Sequence, residues 1–135
     1  MITAVDTNVL LDVFGADPKF GTPSASALRR CLAEGALVAC DAVWAETGAV
    51  FPGDSNFIEA METLGVSFSP LSEAAALKSA AYWRSYRGKG GMRDRVAADF
   101  LIGAHACVQC DRLLTRDRGF YREYFRKLKV IDPSA

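Results

Sequence analysis

The sequence lacks any uninterrupted apolar run near the ~18 residues that a membrane-spanning helix requires. Asp6 and Asp12 interrupt its apolar beginning, which has neither the basic stretch nor the small-residue cleavage site of an export signal. With 4 cysteines and no such signal, we expect reduced thiols in a cytoplasmic protein that does not enter a membrane. No repeat and no low-complexity tract is present, which excludes fibrous and disordered proteins.

The composition that remains is that of one globular domain. The chain has 135 residues, of which 50% are hydrophobic and 24% charged, and we expect a single domain over residues 1–135. The net charge is zero, but residues 1–80 carry 4 Lys/Arg and 10 Asp/Glu, whereas residues 81–135 carry 12 and 6. This imbalance indicates a polyanionic partner or an interface between oppositely charged surfaces, with a mixed solvated surface as the simpler alternative.

Short apolar runs alternate with segments of helical periodicity along the whole chain. The runs are continuous, as is typical of strands buried on both faces: residues 2–5, 36–40, 66–69, 112–115 and 128–131. The helical segments cover residues 9–14, 22–34, 42–51, 54–64, 72–86, 96–110 and 117–125, with Thr22 and Asp41 as predicted N-caps. The pattern predicts a three-layer α/β domain with a central parallel sheet of four to five strands.

Parallel α/β domains form their sites at the carboxyl edge of the sheet, and we expect the chain to bring four acidic residues to that edge. Asp6 directly follows the first strand, and Asp117 lies two residues past the fourth. Glu46 lies in the first or second turn of the helix after the second strand, and Asp99 lies early in the helix after a glycine-rich segment. Two carboxylates ~4 Å apart repel by ~4 kcal/mol at an effective dielectric of about 20. A cluster of four therefore holds either protons or a divalent cation.

The chemistry of such a cluster is that of hard divalent ions. Oxygen ligands suit Mg²⁺ and Mn²⁺, which usually keep several waters and bind substrate phosphates. Such an ion lowers the pKa of a bound water and neutralises charge on a phosphodiester. An acid cluster beside a positive flank is therefore what metal-assisted phosphodiester hydrolysis needs.

Four segments resemble the motifs of PIN-domain ribonucleases, especially the VapC-type toxins of bacterial toxin–antitoxin pairs. The first is Val-Asp-Thr-Asn-Val-Leu-Leu-Asp at residues 5–12, and the second is Trp-Ala-Glu at residues 44–46. The third is Asp-Phe-Leu-Ile-Gly-Ala-His-Ala at residues 99–106, in which Gly103 replaces the commoner alanine. The fourth is Leu-Leu-Thr-Arg-Asp-Arg-Gly-Phe at residues 113–120. The segments follow the family's order and span nearly the whole chain.

The resemblance implies a Mg²⁺- or Mn²⁺-dependent endoribonuclease that inhibits translation. The acids that would hold the metal and activate water are Asp6, Glu46, Asp99 and Asp117. Thr7, Asn8 and Thr115 would orient carboxylates, waters or the scissile phosphate. The resemblance also implies a homodimer and a cognate antitoxin that blocks the site. By analogy with other metal-dependent phosphodiester cleavage, the products should carry 5′-phosphate and 3′-hydroxyl ends.

Three of the four candidate acids also have a structural alternative. Asp6 and Asp117 are alternatively helix N-caps, and the helix dipole favours Glu46 in a first turn regardless of function. Asp99 is the hardest to explain structurally, because it lies inside an apolar run. Three other acids are expected to be structural. Asp12 lies on a different part of the first helix from Asp6, Asp41 is a helix cap, and Asp94 would pair with a neighbouring arginine.

A group of cations surrounds the glycine-rich segment before Asp99. We predict that they form a rim that contacts RNA phosphates, together with two cations of the fourth motif: Arg84, Arg87, Lys89, Arg93, Arg95, Arg116 and Arg118. Tyr82, Trp83 and Tyr86 would offer a stacking surface for unpaired bases, although core or interface packing is favoured for Trp83. A solvated helix face and an acidic antitoxin segment are the alternatives for the cations.

The remaining reactive side chains are expected to be structural. Cys107 and Cys110 have redox or zinc spacing, but they lie near the end of an apolar helix, so buried thiols are expected. His105 is the sole histidine, and we expect it to pack between helices.

Three other functions are alternatives to the nuclease. An aspartyl-phosphate phosphatase usually has a second aspartate two residues after the first, where this chain has Asn8. A non-catalytic domain that uses the same pocket to bind RNA or protein is a second alternative, and a PIN nuclease of RNA processing is a third.

Overall fold

The computed structural model describes residues 1–88 and 97–134. Five strands form one sheet: β1 (Ile2–Val5), β2 (Ala36–Ala39), β3 (Val66–Phe68), β4 (Arg112–Leu114) and β5 (Val130–Ile131). Their order across the sheet is β3-β2-β1-β4-β5, and every neighbouring pair is parallel. The predicted α/β fold with a parallel sheet is therefore confirmed, and the carboxyl ends of β1 and β4 meet at the centre of one edge.

Seven helices in the described ranges connect the strands: α1 (Thr7–Phe14), α2 (Gly21–Glu34), α3 (Asp41–Gly48), α4 (Asp54–Leu64), α5 (Glu73–Gly88), α6 (Ala97–Gln109) and α7 (Arg118–Tyr124). The connections run outward from β1 to β3 and then return to β4 and β5. Because crossovers between parallel strands are right-handed, this reversal places helices on both faces of the sheet. Within the two described ranges, each helix is too short or too polar to cross a membrane.

Two of the predicted helix starts are wrong. The α2 helix begins at Gly21 rather than after a Thr22 cap, because Asp17 Oδ1 accepts the backbone N–H groups of Lys19 and Phe20, each at 2.8 Å. The α3 helix begins at Asp41 itself, with Cys40 as its N-cap. The Asp41 carboxylate instead accepts the backbone N–H of Leu71 at 2.6 Å. Asp17 thus bonds to the turn before α2, and Asp41 bonds to the segment before α5, so neither side chain caps a helix.

An aromatic cluster fixes α6 against the rest of the domain. Phe100 is fully buried, and its ring centroid lies 5.3 Å from Tyr86, 5.4 Å from Phe120 and 6.3 Å from Phe125. These rings come from α5 and from the α7 region, so the packing joins three parts of the chain. Because Phe100 directly follows Asp99, the same packing sets the position of that acid at the start of α6.

Candidate active site

Asp6 lies directly after β1 and is 6% exposed. Its Oδ1 accepts the backbone N–H of Thr7 at 2.7 Å, which makes Asp6 the N-cap of α1. Its Oδ2 accepts the Thr115 hydroxyl at 2.7 Å and the Asn8 amide at 3.4 Å. Parallel pairing of β1 with β4 brings Thr115 here from 109 positions away. Asp6 is therefore both a helix cap and the centre of a long-range polar network.

The turn after β4 is tied to the same network. Thr115 Oγ1 accepts the backbone N–H of Asp117 at 3.0 Å and the Asn8 amide at 3.3 Å. Asn8 Oδ1 in turn accepts the backbone N–H of Arg116 at 3.2 Å. The segment that carries Asp117 is therefore fixed against the residues that hold Asp6. Asp117 precedes α7, but its side chain makes no capping bond to that helix.

Glu46 joins the site through α3. Its Oε1 accepts the Thr7 hydroxyl at 2.7 Å, which links α3 to the first residue of α1. The Glu46 side chain is exposed, whereas Asp6 beside Thr7 is buried. The structure thus brings the predicted residues Asp6, Thr7 and Glu46 to one end of α1, with Glu46 on the solvent side.

The carboxylates act on one another and on Tyr121. Burial first, and then Asp6, Asp99 and Asp117, raise the pKa of the Tyr121 hydroxyl above its usual value. Burial also raises the pKa of Asp6 to about 6, against the lowering effect of the bonds from Thr115 and Thr7, and Asp99 adds to the rise. Carboxylates from three parts of the chain, Asp6, Asp99 and Asp117, are therefore near enough for their charges to act on the Tyr121 hydroxyl.

Tyr121 is not among the site residues predicted from the sequence. It is fully buried, and its hydroxyl has no hydrogen-bond partner among the residues that the structure describes. The hydroxyl and the Asp6 carboxylate influence each other's pKa, but their geometry is not that of a hydrogen bond. Its spacing offers a signal, because Tyr121 lies four residues after Asp117 and therefore about one helical turn along the same side.

The described residues fit a divalent cation, although less tightly than predicted. In residues 1–88 and 97–134, no three carboxylate, thiol or imidazole side chains form a ready-made metal cluster. Mg²⁺, however, is usually held by only one or two carboxylates and keeps several waters. The donors here are oxygens, and the site contains a buried acid and a buried hydroxyl without a partner. A hydrated cation would satisfy both groups.

The structure describes only some of the cations that were predicted to form a rim. Arg84 and Arg87 are exposed on α5, and the Arg87 guanidinium lies 5.2 Å from the centre of the Trp83 ring. Arg118 is exposed and lies 3.4 Å from Asp132. Four of the predicted or weighed residues, Lys89, Arg93, Asp94 and Arg95, lie outside the described residues.

Arg116, which is predicted to contact RNA, pairs with Asp12 in the structure. Its Nε and Nη2 donate to the two oxygens of Asp12 at 2.7 and 2.9 Å, and its guanidinium lies 3.9 Å from the Phe20 ring centre. Asp12 is 4% exposed and also accepts the Ser24 hydroxyl at 2.8 Å. A buried carboxylate requires a charged or hydrogen-bonding partner, and Arg116 supplies it. The expected structural role of Asp12 thus explains why Arg116 faces inward.

The aromatic residues of α5 are occupied by packing. Tyr86 is 6% exposed and contacts the rings of Phe100 and Tyr124, so the prediction that it stacks on bases is wrong. Trp83 lies nearly parallel to Phe100 at 6.0 Å, which agrees with the favoured core interpretation. Tyr82 packs against Phe125 at 4.6 Å and stays partly exposed.

The thiols and the histidine have structural surroundings. Burial raises the pKa of Cys110 to about 12 and also raises that of Cys107, so both groups stay protonated thiols. His105 Nε2 lies 2.9 Å from the Ser69 hydroxyl, and burial lowers the pKa of its ring. The predicted packing role of these side chains is consistent with this environment.

Together these features define an acid-centred site at the carboxyl edge of a parallel α/β sheet. Residues 3–125 match the PIN domain family, and the chain therefore belongs to that family. No curated protein matches the chain in sequence.

Solved structures confirm the fold. The chain is similar to VapBC2 from Rickettsia felis, bound to a promoter DNA fragment, with a TM-score of 0.77, 14% identity and 98% of each chain covered. It is also similar to a toxin–antitoxin complex from Klebsiella pneumoniae, with a TM-score of 0.64, 20% identity and 97% of each chain covered. VapC20 from Mycobacterium tuberculosis, a toxin that cleaves the sarcin–ricin loop, matches with a TM-score of 0.55 and 14% identity over 82% of this chain and 86% of its own.

Proposed function

We propose that this protein is a metal-dependent endoribonuclease and the toxin of a toxin–antitoxin pair. The observation that carries the proposal is the Asp6 network, which joins the ends of β1 and β4 to α3 through the hydroxyls of Thr7 and Thr115. Membership of the PIN family supports this assignment, as does the similarity to VapC20, which cleaves an RNA loop. The phosphatase alternative is disfavoured, because Asn8 bonds to Asp6 and Thr115 and supplies no second acid.

The residues that would hold Mg²⁺ or Mn²⁺ are Asp6, Asp99 and Asp117, with Glu46 on the solvent side. When bound, the ion would neutralise charge on the scissile phosphate and make a water more acidic. The protein's own part is orientation. Thr7 and Thr115 hold opposite oxygens of Asp6, and the Thr7 hydroxyl also fixes Glu46. Loss of a hydrogen bond that orients a metal ligand typically lowers metal affinity or activity by about 10- to 100-fold.

RNA would approach the site over the positive half of the chain. Arg84 and Arg87 are exposed on α5, the helix that packs against α6. The α6 helix carries Asp99 in its first turn. Each phosphate contact by a cation contributes to binding and makes it depend on salt. The exposed cations beyond the predicted set extend this surface along the chain after Asp117: Arg122, Arg126, Lys127 and Lys129.

A cleavage assay with chelator and metal add-back tests the reaction. We expect cleavage with Mg²⁺ or Mn²⁺, none with EDTA, and 5′-phosphate and 3′-hydroxyl product ends. Asp6→Asn and Asp99→Asn should remain folded and lose activity, whereas Asp54→Asn, on the exposed face of α4, should retain it. Cleavage in EDTA, or 2′,3′-cyclic phosphate ends, would contradict water attack assisted by a metal.

A salt titration of RNA binding tests the cation rim. Replacing both Arg84 and Arg87 with alanine should reduce the slope of log K against log salt by about 1 to 2. Arg29 and Arg30 are exposed cations on α2, and their double alanine variant is the matched control. Equal slopes for the two double variants would remove Arg84 and Arg87 from the RNA surface.

The toxin assignment includes an antitoxin, a homodimer and a cytoplasmic location. The similarity to a toxin–antitoxin complex supports the antitoxin, as does a groove of about 540 Å³ whose apolar lining includes Phe14, Phe51 and Leu64. Expression without a partner should arrest growth, and Asp6→Asn should restore it. Unaffected growth with abundant soluble wild-type protein would contradict the toxin role and favour RNA processing.

Sedimentation of the purified chain tests the dimer, and a monomer at all concentrations would contradict it.

A further inference from the structure

We propose that Tyr121 is a positioning residue of the acid site, whose hydroxyl donates a hydrogen bond to the Asp6 carboxylate when a divalent ion is bound. The bond would be direct or pass through one ordered water. This inference rests on the proposed function, because it assigns the residue a task in the ion-loaded enzyme. It starts from the buried Tyr121 hydroxyl, which has no hydrogen-bond partner in the described part of the chain.

The Tyr121 hydroxyl has no contact with bulk solvent. The residue is fully buried, and its ring packs 5.1 Å from Phe120 and 6.0 Å from Phe125. Nearly all buried polar groups in proteins have a partner, so an unpaired one calls for a specific explanation such as a catalytic role or a missing water or ion. A hydroxyl placed among Asp6, Asp99 and Asp117 has such an explanation.

The Asp6 carboxylate can accept a further bond. An ionised carboxylate has about four acceptor positions. The described contacts are the Thr7 N–H at Oδ1, and the Thr115 hydroxyl and the long Asn8 contact at Oδ2. Only the Thr7 and Thr115 bonds are short, whereas the Asn8 contact is long at 3.4 Å. The carboxylate therefore keeps one position for an ion and one, on Oδ1, for a further donor. A donor there would fix the rotation of the carboxylate about its Cβ–Cγ bond.

The Tyr121 hydroxyl is suited to donation and not to proton removal. A phenol, whose usual pKa is about 10, keeps its proton at neutral pH, so the hydroxyl has one proton to donate. The Tyr121 hydroxyl would therefore act by orienting the Asp6 carboxylate, because a rigid donor reduces the number of orientations that this carboxylate can take. Loss of such a contact lowers the rate of the chemical step and the affinity for the ion, while RNA binding is unchanged.

The test compares Tyr121→Phe with Tyr124→Phe. Tyr124 lies one turn further along the same region and lines a groove with Tyr82 and Arg126, so its variant is the matched control. For Tyr121→Phe we expect kcat and Mn²⁺ affinity, measured by electron paramagnetic resonance, to fall about 10- to 100-fold. The KM for RNA should stay within about twofold of the wild type. Tyr124→Phe should leave kcat and Mn²⁺ affinity unchanged.

Stability separates positioning from packing. In EDTA, Tyr121→Phe should melt at the same temperature as the wild type or higher, because it removes a buried hydroxyl that has no partner. A lower melting temperature together with lower activity would show a structural role and overturn the proposal. Unchanged kcat and Mn²⁺ affinity would also overturn it. If the wild type itself cleaves no RNA, the proposed function fails, and the Mn²⁺ affinities still decide whether Tyr121 positions the ion site.

Discussion

Asp6 should make the ion-free protein less stable as the pH rises. Burial raises the pKa of this carboxyl from 3.8 to about 6 in the folded state. Since a folded-state pKa above the unfolded value means that the folded protein holds the proton more tightly, protonated Asp6 favours folding. This contribution is complete below about pH 4 and is lost as the pH rises through about 6. At about 1.4 kcal/mol per pKa unit, the loss amounts to roughly 3 kcal/mol by pH 8.

Urea unfolding in EDTA from pH 4 to about pH 8 measures this effect in the wild type and in Asp6→Asn. The amide cannot titrate, so the free energy of unfolding of the wild type should fall by roughly 3 kcal/mol relative to the variant across this range. Mg²⁺ or Mn²⁺ should restore part of the wild-type stability above pH 6 and have less effect on the variant.

A second aspartate supplies a control of opposite sign. The backbone N–H groups of Phe20 and Lys19 lower the pKa of Asp17. Its contribution to stability is therefore present at neutral pH and is lost as the pH falls through its folded-state pKa, and Asp17→Asn should remove that loss. Parallel pH curves for the wild type and Asp6→Asn would refute the reasoning, because they would show that Asp6 titrates at the same pH in the folded and unfolded chain.

Two further predictions concern packing around the site. Gly103→Ala should destabilise the fold by about 1–3 kcal/mol in urea unfolding, because its Cβ would lie 2.6 Å from the Phe125 ring. Gly119→Ala, whose Cβ meets no atom within 4 Å, should be neutral or stabilising, and equal losses in both variants would contradict this assignment. Asp12→Ala and Arg116→Ala should each cost about 2–4 kcal/mol, and the double variant should cost little more than either. Additive losses in a double-mutant cycle would show that the two side chains act independently.

The elements of the fold could be predicted because their signals are local. Continuous apolar runs identify strands covered on both faces, and residues 2–5 match β1 from end to end. Helix starts were less reliable, since several acids and hydroxyls compete for the same backbone N–H groups. At α2, Asp17 and not Thr22 shapes the entry of the chain.

The site could be predicted only where a residue type and its place in the chain carried the information. Asp6 follows a strand, and its contact with Thr115 follows from the pairing of β1 with β4. The Asp12–Arg116 pair joins residues 104 positions apart, and the sequence contains no local sign that it exists. Tyr121 was missed because its spacing from Asp117 is a weak signal. A tyrosine that only packs in the core occurs at the same spacing.

The central claim is that carboxylates from distant parts of the chain share one divalent ion. Crystals grown with Mn²⁺, with diffraction data recorded at the manganese absorption edge, test it most directly. The account predicts an anomalous peak bonded to an oxygen of Asp6 and to Asp99 or Asp117, with waters completing the coordination. A fully occupied Mn²⁺ elsewhere, with no peak beside Asp6, would contradict it.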